Sequence, residues 1–140
     1  MSDQKTIIEI ASKVNASVDK VWEYFTQPQH ITKWNAASAD WHSPSTTNDL
    51  QPGGKFNNRM EAKDGSMGFD FEGVYTDVVP QKQISYTLSD GRLVNIYFES
   101  EGDATNIRED FEAENTFSID QQKSGWQSIL DNFAQYTENN

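Results

Sequence analysis

The closing stretch of the chain limits its fold more than any other. "SIDQQKSGWQSILDNFAQYTE" places Trp126, Ile129, Leu130, Phe133 and Tyr136 at helical spacing, one apolar stripe on an otherwise polar helix. Ser118 and Gln121 supply a capping box that starts it. About 19 residues rising about 1.5 Å each give about 28 Å, enough to cross a whole sheet. A helix with one apolar face must bury it against a second layer, and the rest of the chain has to provide that layer.

That layer reads as an antiparallel sheet. Between residues 39 and 116, turn signals ("QPGGKF", "KDGSMG", "VPQKQ", "SDGR", "EGDAT") separate runs of period-two alternation. The inward sets are Phe56 and Met60; Phe69, Phe71 and Tyr75; Ile84, Tyr86 and Leu88; Val94, Ile96 and Phe98; Ile107 and Phe111. Asp90-Gly91 marks the strongest hairpin turn. Ahead of these, "KTIIEIASKV" is a strand with Ile8, Ile10 and Val14 on one face and Ile7 on the other. The period then changes. Ser17 is a helix N-cap, Val18, Val21, Trp22 and Phe25 follow helical spacing, and Pro28 ends that helix and opens a short second one carrying Ile31 and Trp34.

Composition narrows the function. A chain of 140 residues suits one domain, 1–140, with a sizeable core. Its 22 acidic residues outnumber 11 basic ones, for a net charge of −11. No basic stripe exists to bind phosphate, which argues against nucleic acid and against an anionic membrane surface. Four Trp, five Tyr and eight Phe mark a folding chain, because disordered ones are poor in aromatics. With no cysteine, disulfides and thiolate chemistry are excluded. "MSDQKTIIEI" lacks an apolar signal-peptide core and no run reaches the length of a membrane span, so a soluble, cytoplasmic protein is expected.

Strand, two short helices, six strands and a long helix make an α+β order that resembles the helix-grip fold of the START-like, SRPBCC superfamily. More narrowly, the chain is similar to bacterial proteins named after the activator of the ninety-kilodalton heat-shock chaperone's ATPase. "VNASVDKVWEYFTQPQHITKW", "GGKF", "FDFEGVYTDVVPQKQISY" and "GWQSILDNF" carry the likeness along nearly the whole chain. It implies a curved sheet of about seven strands wrapped around the C-terminal helix, with a cavity between them. Its members include binders of lipids and polyketides, cyclases and chaperone-associated domains, so fold alone does not choose the function.

The aromatic count points to the same cavity, since small-molecule pockets are lined by aromatics with a few polar groups. Trp34, Trp41, Tyr75, Tyr86 and Trp126 are its expected wall, with Met60, Phe71, Phe111, Leu130 and Phe133; any single one of them serves equally well as core. Glu109 alternates with Ile107 and Phe111 and so points inward. There it needs a partner or a raised pKa, unless the strand end is open to water. Arg59, Glu61, Asp70 and Glu72 fall on the opposite phase and read as a solvated face with cross-strand charge pairs, unless a bulge at Gly68 or Gly73 inverts them.

"SADWHSP" sets Asp40, Trp41 and His42 side by side, with Asp40 and His42 on one strand face and Trp41 on the other. One imidazole and one carboxylate are too few for a metal, and His30 belongs to another element, so no metal or other cofactor is expected. No serine elbow accompanies them. The stretch reads as pocket rim and wall; an Asp40-oriented His42 acting as general base is the catalytic alternative. "GGKF" lacks the phosphate-loop pattern and is a turn. Gly125 costs the helix about 1 kcal/mol relative to Ala, so it is expected to make room for a backbone or a ligand.

The expected function is non-covalent binding of a small hydrophobic or aromatic molecule. An acid–base enzyme of the polyketide cyclase type, with His42 or Glu109 as base, is the alternative. A chaperone partner follows from the resemblance only.

Overall fold

The structure, a computed structural model, describes residues 6–140; the segment read for a signal-peptide core lies partly outside them. Its strands are β1 (Ile7–Val14), β2 (Trp41–Asn48), β3 (Lys55–Ala62), β4 (Gly68–Val79), β5 (Gln83–Leu88), β6 (Leu93–Glu101) and β7 (Ala104–Glu112). The helices are α1 (Val18–Thr26), α2 (Pro28–Trp34) and α3 (Ile119–Asn139). All seven strands join one curled antiparallel sheet in the order β1-β7-β6-β5-β4-β3-β2. The expected helix-grip arrangement is what the chain adopts.

Local chemistry places each element. The Ser17 hydroxyl accepts the Lys20 N–H at the start of α1. Pro28 forbids a helical Gln27, which is extended, and then serves as the first residue of α2. At α3, Ser118 and Gln121 exchange side chain-to-backbone bonds of 3.1 Å, the reciprocal capping box. Gly91, at φ +91°, makes the β5–β6 turn that a β-carbon would strain.

Alternation then sorts the side chains. Ile8, Ile10 and Val14 are buried while Ile7 is exposed. Antiparallel register lines the inner face with rows that cross the sheet. One runs Ile8, Phe111, Val94, Tyr86, Tyr75; the next runs Ile10, Glu109, Ile96, Ile84, Val78. Val78 belongs to its row because a bulge between Tyr75 and Asp77 shifts the phase of β4. Nothing inverts at Gly68 or Gly73. Arg59 therefore stays on the outer face, its Nε 2.9 Å from Glu61 and its Nη1 3.4 Å from Asp70.

α3 packs along β1, with α1 against β6 and β7 and α2 over β2. Leu130 and Phe133 of α3 are sealed into the common apolar core with Val21, Val94, Ile107 and Phe111. Gln127 of α3 donates to the Ala11 carbonyl on β1 at 3.0 Å. β2, at the other rim, is broken by a bulge between His42 and Ser45 that contains Pro44. Among the described residues, no helix is long and apolar enough to cross a membrane.

Candidate functional site

The helix covers the β1 side of the sheet and leaves space over the other side. A cavity of about 560 Å³ fills that space, bounded by α3, the end of α1, and β3 to β7. Of the residues expected in its wall, Trp34, Met60, Phe71, Tyr75, Tyr86, Glu109, Trp126 and Leu130 line it. Alternation on β4, β5 and β7 aims Phe71, Tyr75, Tyr86 and Glu109 inward, and the helical stripe aims Trp126 and Leu130 at them.

Phe111 and Phe133 stand behind the wall instead. The Trp126 indole lies flat on the Phe111 ring, 3.9 Å between centroids and 14° between planes. Phe133 meets both Phe25 and Trp34 edge-on at 5.0 Å. They are core residues that fix the orientation of the rings in front of them.

Trp41 and His42 are a larger departure. They border a separate polar cleft with Lys33, Lys63, Asn132 and Tyr136, which shares only Trp34 and Asn35 with the cavity. Asp40 is exposed in the turn before β2, and no hydrogen bond or ion pair joins it to His42. The orienting carboxylate of the catalytic alternative is thus absent: the Asp40 carbonyl accepts the Lys63 N–H at 2.8 Å, but its side chain is in solvent. His30 is engaged elsewhere: it stacks on Tyr24, and its Nδ1 is 2.8 Å from the Tyr136 hydroxyl. Among the described residues, no group of three or more His, Asp or Glu could hold a metal ion.

The polar groups of the wall divide into two kinds. Most are already engaged by protein. Trp34 donates its indole N–H to the Tyr24 carbonyl at 3.0 Å. Tyr75 donates to Asn48, which donates in turn to the Thr26 carbonyl at 2.7 Å, tying β4, β2 and α1 together at one end of the cavity. Arg92 is held by Asp90 at 2.7 Å. Glu109 and Tyr86 are of the other kind, as is the Asn35 amide at the edge shared with the polar cleft. None of these three side chains has a hydrogen-bond partner among the described residues. Burial alone raises the Glu109 carboxyl to about 8, so it is mostly protonated at neutral pH. Burial raises the Tyr86 phenol too, and the neighbouring Glu109 charge adds to this.

The mouth was not foreseen. Residues 114–118 border it, and Gln122 holds them. Its Nε2 donates to the carbonyls of Glu114 (3.2 Å) and Phe117 (2.9 Å), while its Oε1 accepts the Glu114 N–H (2.8 Å). Gln122 sits four residues before Trp126, so extending the stripe by one turn was the available signal. Phe117 and Phe69 flank the opening, each half exposed. Gly125 faces the cavity, but a β-carbon there would meet nothing within 4 Å. The expected clash is absent: the glycine borders empty space, not backbone.

The sequence matches the family described as activator of Hsp90 ATPase homolog 1-like protein over residues 15–138. No protein with a curated functional description matches it. Among solved structures, the AHSA1-like protein from Aeromonas hydrophila is 42% identical, with a TM-score of 0.90 over 96% of this chain and 93% of that one. Chr148 from Cytophaga hutchinsonii is 51% identical, with a TM-score of 0.82 over 94% and 92%. CV1439 from Chromobacterium violaceum, 19% identical with a TM-score of 0.83 over 95% and 98%, shares the fold. With a family match over nearly its whole length and two close structural relatives, the chain belongs to the activator of Hsp90 ATPase homolog 1-like family, in the helix-grip superfamily.

Proposed function

We propose that this protein binds a small, mostly apolar or aromatic molecule, without covalent chemistry, between α3 and the sheet. The supporting observation is the cavity of about 560 Å³, whose wall is built of aromatic rings with few free polar groups. That is the composition of a small-molecule site. The rings are held in place by core residues behind them, so little ordering is left for the ligand to impose.

The test is a library of aromatic and acyl compounds read by indole fluorescence and melting temperature. Trp126 and Trp34 are in the wall, so an occupant changes their emission. At 100 times Kd, binding adds about 2.7 kcal/mol of stability, a rise of several degrees. A diverse library that moves neither signal sinks the reading.

Glu109 favours a second reading, acid–base catalysis on the bound molecule. A carboxyl raised to about 8, facing a cavity with no partner among the described residues, is suited to pass protons near neutral pH. Turnover of a bound ligand that stops in Glu109→Gln, with binding retained, distinguishes enzyme from binder.

A further inference from the structure

Glu109 stands between Ile10 and Ile96 in a row that continues with Ile84 and Val78. A carboxyl in an aliphatic row adds nothing to packing and is costly to bury. Among the described residues, no group approaches it with a counter-charge. The ionisable groups around it are Tyr86 on β5, Tyr75 on β4, Arg92 in the β5–β6 turn and Glu114 after β7. β1 and β6 present isoleucines to it, and α3 presents Gln121 and Gln122. Arg92, the one cation of the described wall, already pairs with Asp90.

The wall therefore contains two carboxyls and no free cation, inside a chain of net charge −11. A ligand carboxylate would find no free cation in the wall and an acidic chain around it, whereas a cation is drawn in by the whole field. The rings of Phe71, Tyr75, Tyr86 and Trp126 add aromatic faces, which attract cations when water is excluded. Resting on the binding role proposed above, we infer that the ligand is an amine: an apolar or aromatic body carrying one protonated nitrogen that pairs with Glu109. The proton balance is simple. The ammonium keeps its proton, the Glu109 carboxyl gives its own to bulk water, and the two charges satisfy each other inside the cavity. Before binding, the neutral carboxyl spares the empty cavity a buried charge.

Three probes with one apolar body test this: naphthylethylamine, naphthylethanol and naphthylacetate, titrated calorimetrically at pH 7 in buffers of different ionisation enthalpy. The amine should bind at least about ten-fold more tightly than the acetate. It should also release close to one proton, because Glu109 starts mostly protonated. In Glu109→Gln, checked for folding by its melting temperature, proton release should vanish and amine affinity should fall to that of the alcohol. Proton release by the unaltered protein carries the test even if that variant does not fold. Amine and alcohol binding equally with no proton released, or acetate binding best, overturns the amine assignment and leaves the cavity role standing. Failure of all three probes to bind counts against the cavity role itself.

Discussion

The two halves of the sheet share one sequence pattern and meet different fates. On β6 and β7, the inward residues Val94, Ile107 and Phe111 are almost wholly sealed under α1 and α3. On β4, the equally inward Phe69 is 50% exposed and Phe71 half-buried. Both sets alternate, and both face the same side. The difference lies in what sits above them: helix in one half, open space in the other. Alternation assigns a side chain to a face, and the second layer decides whether that face becomes core or binding surface. Stability is therefore concentrated on the β1–β7–β6 side, and the side that can bind is the one left thinly packed.

Substitutions should separate the halves by size of effect. Phe133→Ala, in the sealed half at 0% exposure, should cost about 3–5 kcal/mol in a denaturant titration. Phe71→Ala in the open half should cost clearly less and instead weaken ligand binding; equal costs would break the comparison. Glu109 comes next, because it stands on a sealed strand yet faces the cavity. Its folded pKa of about 8 lies above the ordinary 4.5, so the folded state holds a proton that the unfolded state has lost. The resulting penalty is absent below pH 4.5, grows by about 1.4 kcal/mol per pH unit and is complete above about 8. Glu109→Gln should match the wild type near pH 4.5 and exceed it by about 3 kcal/mol at pH 7, measured as stability against pH. A parallel pair of curves would mean that the carboxyl is solvated. The smallest effect belongs to Gly125→Ala, expected to gain up to about 1 kcal/mol because the added methyl enters open space. Gly125→Leu should obstruct the cavity and weaken binding with little change in unfolding; unaltered binding would place the ligand elsewhere.

The fold was legible because its determinants are local and periodic. Ser17, Pro28, Asp90-Gly91 and the Ser118–Gln121 box each act within a few residues, and alternation reports strand faces directly. The inward placement of Glu109 followed from Ile107 and Phe111 by the same rule, as did the outer placement of Arg59. What failed depended on the third dimension. Phe111 and Phe133 occupy the same stripes as Trp126 and Leu130, and no spacing rule tells a front-row ring from the ring that supports it. Trp41 and His42 went to another cleft because the bulge at Pro44 redirects that rim; the proline marks an interrupted edge strand but not which way it turns. Gly125 was placed on the correct side with the wrong neighbour, since one sequence cannot distinguish a void from a close backbone.

The outermost strands bear on how the protein behaves when concentrated. A strand at a rim offers a row of backbone groups that another chain can copy, the route by which sheets grow into fibres. Here the two rims are disarmed by different means. On β1, the Gln127 side chain already occupies the Ala11 carbonyl. On β2, Pro44 has no N–H to give, and the bulge around it bends the row out of line. Among the described residues each rim is thus interrupted at one point, which shortens the template along which one copy could recruit the next in a crowded solution.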